Sequence, residues 1–157
     1  LIAKNIFYVG GIGCGHAIKL INNFLGQVNM VAISEVLPLA VKYGVDLDAL
    51  YSVVLVSGGN SRTFEGAVPL IYKRNFDINF QLKLVQKDLR YMSELGREQN
   101  VPLPMVNSAL QIVDLAAAHG LGEKNFNSLV KMWEEIVKVT VKAQGKPVPN
   151  DGLRKTQ

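Results

Sequence analysis

The sequence predicts an all-α fold, a helical bundle built on one long N-terminal helix, from three observations. Apolar residues recur at helical spacing over several separate segments. The longest such segment, residues 14–43, contains only Pro38 as a strong helix breaker. The chain has 157 residues, of which 48% are hydrophobic, so it can form one globular domain with a sizeable core.

The first predicted helix runs from Cys14 to Tyr43, and Gly44 is suited to cap its C-terminus. A helix of about 30 residues is about 45 Å long at 1.5 Å per residue, which is long for a small domain. Pro38 lacks the backbone N–H that would bond one turn back, so we expect a kink near Ser34.

Two shorter helices are predicted next. Asp46 is placed to cap a helix that ends at Gly58 and Gly59 and has one apolar face, formed by Leu47, Leu50, Tyr51, Val54 and Leu55. Residues 57–61 form a flexible connection to a short helical piece, which we expect to stop before Pro69. Residues 74–79 carry no helical period and are predicted to form an exposed loop.

Three further helices complete the predicted bundle. One runs from Phe80 to Gln99, where apolar residues again recur at helical spacing. The next runs from Met105 to His119, with Gly120 as its cap. The last runs from Asn127 to Ala143 and is expected to bury Leu129, Val130, Trp133, Ile136 and Val137.

A lysine and an asparagine lie one helical turn apart near the start of the first helix. Lys19 and Asn23 are spaced i and i+4, so their side chains leave the same helix face. The unpaired N–H groups and the dipole at a helix N-terminus favour a nearby anion. A cation, an amide and a positive helix end together predict a site for a small carboxylate, in which Lys19 could act as an acid or a base.

Other residues near this pair have simpler interpretations. Gly13 and Gly15 would let the backbone approach a ligand closely, although a flexible hinge explains them equally well. His16 shares the Lys19 face and is interpreted as a supporting polar group. Two histidines without a carboxylate at ligand spacing predict no metal site. The single cysteine, Cys14, excludes an internal disulfide and suits a reducing cytoplasm.

Charge and hydropathy argue against two classes of partner. The 17 lysines and arginines exceed the 13 acidic residues, which gives a formal net charge of +4. Because this surplus is spread along the chain and forms no basic arm, nucleic-acid binding is not predicted. No uninterrupted apolar run reaches the roughly 18 residues that a membrane span needs, so no membrane contact is predicted.

Three segments of the chain carry extended motifs. Residues 9–23 read G-x-x-G-x-G-x-x-x-K-x-x-x-N, with Gly10, Gly13, Gly15, Lys19 and Asn23 at the specified positions. Residues 75–92 fit the pattern D/N-F-x-x-x-F-x-L-x-L-x-x-K-D-L, with Phe80, Lys87 and Asp88 in place, and residues 35–47 are similar to E-A-L-x-L-A-x-x-x-G-x-D. With these motifs the chain resembles the β-hydroxyacid dehydrogenase family, which contains 3-hydroxyisobutyrate dehydrogenase and tartronate semialdehyde reductase.

The resemblance implies the fold of the 6-phosphogluconate dehydrogenase C-terminal domain and a role for each matching residue. Lys19 would protonate the substrate oxygen as hydride arrives at the carbonyl, and would act as the base in the reverse direction. Asn23 and Gly15 would bind the substrate, whereas Lys87 and Phe80 would contact the cofactor. The residues alone leave simpler roles open, because exposed lysines and amides are common on helix surfaces.

The resemblance also implies a dinucleotide-binding Rossmann domain that precedes the helical one. Residues 1–12 are interpreted as the remnant of a strand or linker from that domain, 13–144 as a helical substrate and oligomerisation domain, and 145–157 as a disordered tail. Gly13 and Gly15 do not form a dinucleotide fingerprint, because position 18 is Ile. NAD or NADP would therefore be bound mainly by the missing domain, and the chain alone is expected to be inactive.

Two functions of different class remain open. The first is the C-terminal half of an NAD(P)-dependent oxidoreductase that interconverts a small 3-hydroxy acid and its semialdehyde. Its substrate would be 3-hydroxyisobutyrate-like or, alternatively, tartronate semialdehyde. The second is a non-catalytic helical dimerisation module of a dehydrogenase paralogue. Retention of Lys19 and Asn23 favours the enzyme, and a homodimer or homotetramer is expected in the cytoplasm.

Overall fold

The computed structural model describes residues 5–77, 80–143 and 145, and within them the fold is all-α, as predicted. Six α-helices are present there: α1 (Cys14–Tyr43), α2 (Leu47–Leu55), α3 (Arg62–Tyr72), α4 (Leu82–Glu98), α5 (Pro104–Ala116) and α6 (Leu129–Val137). A π-helical turn, Ala117–Leu121, extends α5, and a short 3-10 helix, Phe126–Ser128, precedes α6. Gly145 apart, the predicted tail lies outside the described residues.

Helix α1 has the predicted bounds and forms the centre of the bundle. It is 30 residues long and contacts α3, α4, α5 and α6. Gly44 adopts a positive φ of 89°, and the N–H of Val45 bonds to the carbonyl of Ala40 at 2.9 Å, which closes the helix end as expected of a glycine cap. The helix continues through Pro38, whose ring is buried.

The C-terminal two thirds of α1 provide the core of the domain. Its buried side chains there include Met30, Ile33 and Leu37, which pack against apolar residues from the surrounding helices. By length and composition α1 could cross a membrane, since an 18-residue window has a mean hydropathy of 1.5. A core helix passes the same test, and 44% of that window is buried inside this fold.

The sequence predicted that the third helix would stop before Pro69. This prediction is wrong, because α3 continues through Pro69 to Tyr72. Proline fixes φ near the helical value, but it lacks an N–H donor and its ring crowds the carbonyl that the donor would have met. The carbonyl left without that donor belongs to Glu65, four residues earlier. It accepts a hydrogen bond from the Tyr51 hydroxyl at 3.2 Å, so α2 supplies the partner that the proline removes.

The last helix is shorter than predicted, because α6 ends at Val137 and not at Ala143. Lys138 adopts a left-handed conformation with φ 56°, and the chain then leaves the helix. The buried Glu134 carboxylate accepts the backbone N–H of Val141 at 2.6 Å and pairs with Arg74, which holds the returning segment in place. Ile136, predicted to be buried, is 52% exposed.

The loop between α3 and α4 is only partly exposed, in contrast to the prediction. Asn75 and Asp77 are exposed, but Phe76 packs on the core. The ammonium of Lys131 lies 4.1 Å from the centre of the Phe76 ring, and the Arg74 guanidinium lies 4.9 Å from it. Ile78 and Asn79, also in the predicted loop, lie outside the described residues.

Candidate functional site

The first turns of α1 lie outside the core and present the predicted lysine to solvent. Gly13 takes a positive φ of 94° at the helix N-terminus, a conformation that favours glycine. Lys19 is exposed and makes no hydrogen bond or ion pair with the described residues. Gly15 is also exposed, and a Cβ added there would contact nothing within 4 Å. Its predicted part in substrate binding stays a prediction.

One turn deeper, Asn23 joins α1 to the second matching segment on α4. Its side-chain Nδ2 donates a hydrogen bond to Asp88 Oδ2 at 2.8 Å. Asp88 is buried, and its other oxygen lies 3.4 Å from the ammonium of Lys87. A hydrogen bond to a charged group is stronger than one between neutral groups. The Asp88 carboxylate therefore fixes the Asn23 amide and pairs with Lys87, whose side chain remains 49% exposed.

A cavity of about 350 Å³ lies directly beside Asn23. Its wall is formed by α1, the start of α3, the residue that precedes the N-cap of α4, and the 3-10 turn. The lining residues are Asn22, Asn23, Gly26, Gln27, Met30, Thr63, Phe80, Phe126 and Asn127. Of the predicted site residues, Asn23 and Phe80 line this cavity, Lys87 is linked to it through Asp88, and Lys19 lies one turn away on α1.

Two loops are hydrogen-bonded together to form one wall of the cavity. The backbone N–H of Phe126 donates to the carbonyl of Phe80 at 2.8 Å, next to an isolated antiparallel bridge between Gln81 and Asn125. The buried Asn125 amide donates to the carbonyl of Asp77, and its oxygen accepts from Asn127 N. Asn125 therefore holds the loop before α4 against the 3-10 turn and places Asn127 at the cavity.

Gln27 is the cavity residue that the sequence reasoning missed. It is only 5% exposed, yet neither atom of its side-chain amide has a hydrogen-bond partner in the described structure. A sequence signal for it existed, because Gln27 follows Asn23 by four residues and is a polar residue in an otherwise apolar stretch of α1. It thus extends the face of Lys19 and Asn23 by one turn.

The remaining chemistry-bearing groups lie apart from this cavity. His16 is exposed on the first turn of α1. Burial, followed by the negative charge of Asp48, raises the pKa of Tyr72 above its usual range. The Tyr72 hydroxyl donates to the carbonyl of Leu47 at 2.9 Å, a structural role. No cluster of three metal-ligating side chains occurs in the part of the chain that the structure describes.

Comparison with known proteins connects this arrangement to one group of enzymes. Residues 13–133 match a family model described as "NAD-binding of NADP-dependent 3-hydroxyisobutyrate dehydrogenase". The 2-(hydroxymethyl)glutarate dehydrogenase of Eubacterium barkeri is 37% identical over 90% of this chain and 47% of its own length. The L-threonate dehydrogenase of Cupriavidus necator is 33% identical over 86% of this chain and 46% of its own length.

A solved structure shares the fold as well. The crystal structure of 3-hydroxyisobutyrate dehydrogenase from Salmonella typhimurium superposes with a TM-score of 0.78 at 26% identity. That likeness covers 83% of this chain and 46% of the other. The chain spans about half the length of the curated relatives it matches.

Proposed function

The chain belongs to the 3-hydroxyisobutyrate dehydrogenase family, and on that basis we propose that it is the C-terminal half of an NAD(P)-dependent hydroxyacid dehydrogenase. The parent protein would interconvert a small 3-hydroxy acid and its semialdehyde. The matched segment makes up only about half of each relative's length, which supports a further, cofactor-binding domain in the parent protein. The observation that carries the proposal is the exposed Lys19 one turn before an Asn23 amide fixed at a cavity.

Lys19 would transfer the proton in this reaction. In the oxidative direction its neutral amine would accept the proton of the substrate hydroxyl, and in the reductive direction its ammonium would return a proton to the same oxygen.

Asn23 would hold the substrate and orient the lysine. Because its Nδ2 donates to Asp88, its Oδ1 remains turned to accept from the Lys19 ammonium or from a substrate hydroxyl. An amide cannot titrate in the working range, so Asn23 itself offers the same donor and acceptor at any working pH. The buried Asp88 would keep the amide in place through the reaction.

The groups beside the cavity fit the nicotinamide end of NAD or NADP. Phe80 is 38% exposed at the cavity and offers an apolar ring, and the half-exposed Lys87 offers a cation for an anionic or polar part of the cofactor. When bound, the cofactor would take up or release the hydride at the substrate carbon. Lys87 and Phe80 would orient it from this side, whereas the other domain would hold the phosphates.

The non-catalytic association module remains the second candidate. Apolar side chains are exposed along α1 and α2, among them Leu25, Leu39 and Val53. Where such side chains form a contiguous patch, another chain or domain commonly packs on it. The same surface would serve a homodimer or homotetramer of an active enzyme, so the two candidates are separated by activity and not by assembly.

A kinetic experiment on the full-length parent tests the proposal. The parent is assayed by NAD(P)H absorbance against small 3-hydroxy acids and their semialdehydes, including 3-hydroxyisobutyrate and tartronate semialdehyde. Lys19→Ala should lower kcat by roughly 10²- to 10⁴-fold, since a positioned acid–base group contributes about that much. Lys42→Ala, at the far end of the same helix, is the matched control and should leave kcat unchanged.

Two results would contradict the proposal. A folded parent that binds cofactor but oxidises or reduces no acid in the panel would favour the association module. A Lys19→Ala variant with unimpaired turnover would leave the enzyme in place but remove the lysine from its chemistry.

A further inference from the structure

The unpartnered amide of Gln27 is the feature of the cavity that the proposed chemistry does not use. Its Nε2 and Oε1 are both buried and both lack a hydrogen-bond partner in the described structure. Buried polar side-chain atoms in folded proteins nearly always have a partner, and an exception requires an explanation. Because Gln27 lines the cavity, a ligand can supply both missing partners there.

The position of Gln27 relates it to the reacting end of the site. Lys19, Asn23 and Gln27 recur every four residues, so they form a row on one face of α1, rotated by about 40° at each step. The row spans roughly 12 Å along the helix axis at 1.5 Å per residue. Asn23 lies between the two, so a substrate held at Asn23 has Gln27 one helical turn away on the same face.

The lining of the cavity decides what kind of group Gln27 can take. Asn22, Asn127 and Thr63 supply further amides and a hydroxyl, and no charged side chain lines the cavity among the residues that the structure describes. A carboxylate at this place would lack a cation, and it could only accept, so Oε1 would stay unpaired. A hydroxyl both donates and accepts, so it can donate to Oε1, while its oxygen or a water beside it accepts from Nε2.

We propose that this cavity is a subsite for a hydroxyl group of the substrate, and that Gln27 is a specificity-determining residue that binds it. The substrate would then be a small hydroxy acid that carries a further hydroxyl besides the one that reacts, and not an acid with an alkyl branch alone. The inference rests on the proposed dehydrogenase function and names its substrate class. Hydrogen bonding alone is involved, and no covalent step takes place at Gln27.

Two acids that differ by a single hydroxyl provide the test in the full-length parent. They are 3-hydroxyisobutyrate and 2-(hydroxymethyl)-3-hydroxypropanoate, in which the methyl branch becomes a hydroxymethyl group. The wild-type protein should prefer the second acid by roughly tenfold or more in kcat/KM, because sites built to bind a hydroxyl discriminate strongly against analogues that lack it. Gln27→Met, which keeps the side-chain length, should reduce this preference to below about twofold while turnover of 3-hydroxyisobutyrate persists.

Asn29→Leu is the matched control. Asn29 lies on the same helix but bonds to the carbonyl of Leu25 at 2.7 Å and does not line the cavity, so the variant should keep the wild-type preference. A wild-type protein without the preference would overturn the proposal. So would a Gln27→Met variant that slows both acids equally, since this would show a structural role.

Failure of the proposed function gives a different result. If neither acid is turned over, the same pair is compared by the melting temperature of the parent at saturating acid. A larger rise with the hydroxylated acid in the wild type but not in Gln27→Met would retain the subsite without the reaction. If the two acids raise the melting temperature equally in the wild type and in Gln27→Met, Gln27 is satisfied by water only, and the subsite would be abandoned.

Discussion

Replacement of Asp88 by alanine tests whether one buried carboxylate holds the two halves of the candidate site together. The substitution removes the acceptor of the Asn23 amide and the partner of the Lys87 ammonium. A hydrogen bond to a charged group contributes about 1.5–3 kcal/mol, whereas an exposed ion pair contributes about 0–1 kcal/mol. With Lys87 half-exposed and 3.4 Å away, most of the loss comes from Asn23, so the free energy of unfolding should fall by about 2–3 kcal/mol.

A double-mutant cycle separates this bond from its surroundings. Urea unfolding of the wild type, Asn23→Ala, Asp88→Ala and the double variant, followed by circular dichroism, gives the four free energies. The coupling energy should be about 1.5–2 kcal/mol, and Lys87→Ala alone should cost less than about 0.5 kcal/mol. A coupling below about 0.5 kcal/mol would refute the reasoning, because the bond would then add nothing beyond the burial of the two side chains.

Two further predictions concern the stability of the chain. Because the folded state holds the Tyr72 pKa above that of the unfolded chain, stability is full below about pH 10 and falls as the pH rises beyond it. Urea unfolding at several alkaline pH values gives the unfolding free energy as a function of pH. Its decrease with pH should be less steep in Tyr72→Phe than in the wild type, by up to about 1.4 kcal/mol per pH unit, and parallel curves would contradict the assignment. Gly96→Ala places a Cβ 2.6 Å from Leu103 Cδ1 and 3.0 Å from the Val101 carbonyl, so it should cost about 1–3 kcal/mol. Gly66→Ala, whose Cβ would contact nothing within 4 Å, is the control and should be neutral or slightly stabilising in the same unfolding assay.

The fold was predictable wherever the signal was local. Glycines in positive φ close α1 at both ends, and Asp46 accepts the N–H groups of Asp48 and Ala49 as a helix cap should. Such signals act within a few residues of the chain, so the sequence displays them directly.

The errors arose where a distant residue decides the local structure. The end of α3 depends on the Tyr51 hydroxyl, which supplies the donor that Pro69 lacks. The early end of α6 accompanies the buried Glu134, which binds Arg74 and the backbone N–H of Val141 in the segment that follows the helix. Neither partner is adjacent in sequence, so helical periodicity alone could not predict these ends.

The candidate site was predictable in part for the same reason. The motif located Lys19 and Asn23 on one helix face, because i and i+4 spacing is a property of the helix itself. The Asn23–Asp88 bond joins residues 65 positions apart, and the cavity needs four elements that only the folded chain brings together. Gln27 was visible as a polar residue, but its unpaired amide is a property of the packed structure.

The division of α1 between core and solvent bears on the proposed role of Lys19. From Gln27 onward the helix has fully buried residues in the bundle, whereas nearer its N-terminus only the partly buried Leu20 and Phe24 pack against the core. The Asn23–Asp88 hydrogen bond is the polar contact that fixes this part of α1 to α4. If Lys19 transfers the proton as proposed, loss of this bond would let the lysine shift, and a displacement of about 1 Å costs about 10²-fold in rate when reacting groups must align. Substitution of Asp88 would then lower the turnover of the parent protein as well as its stability.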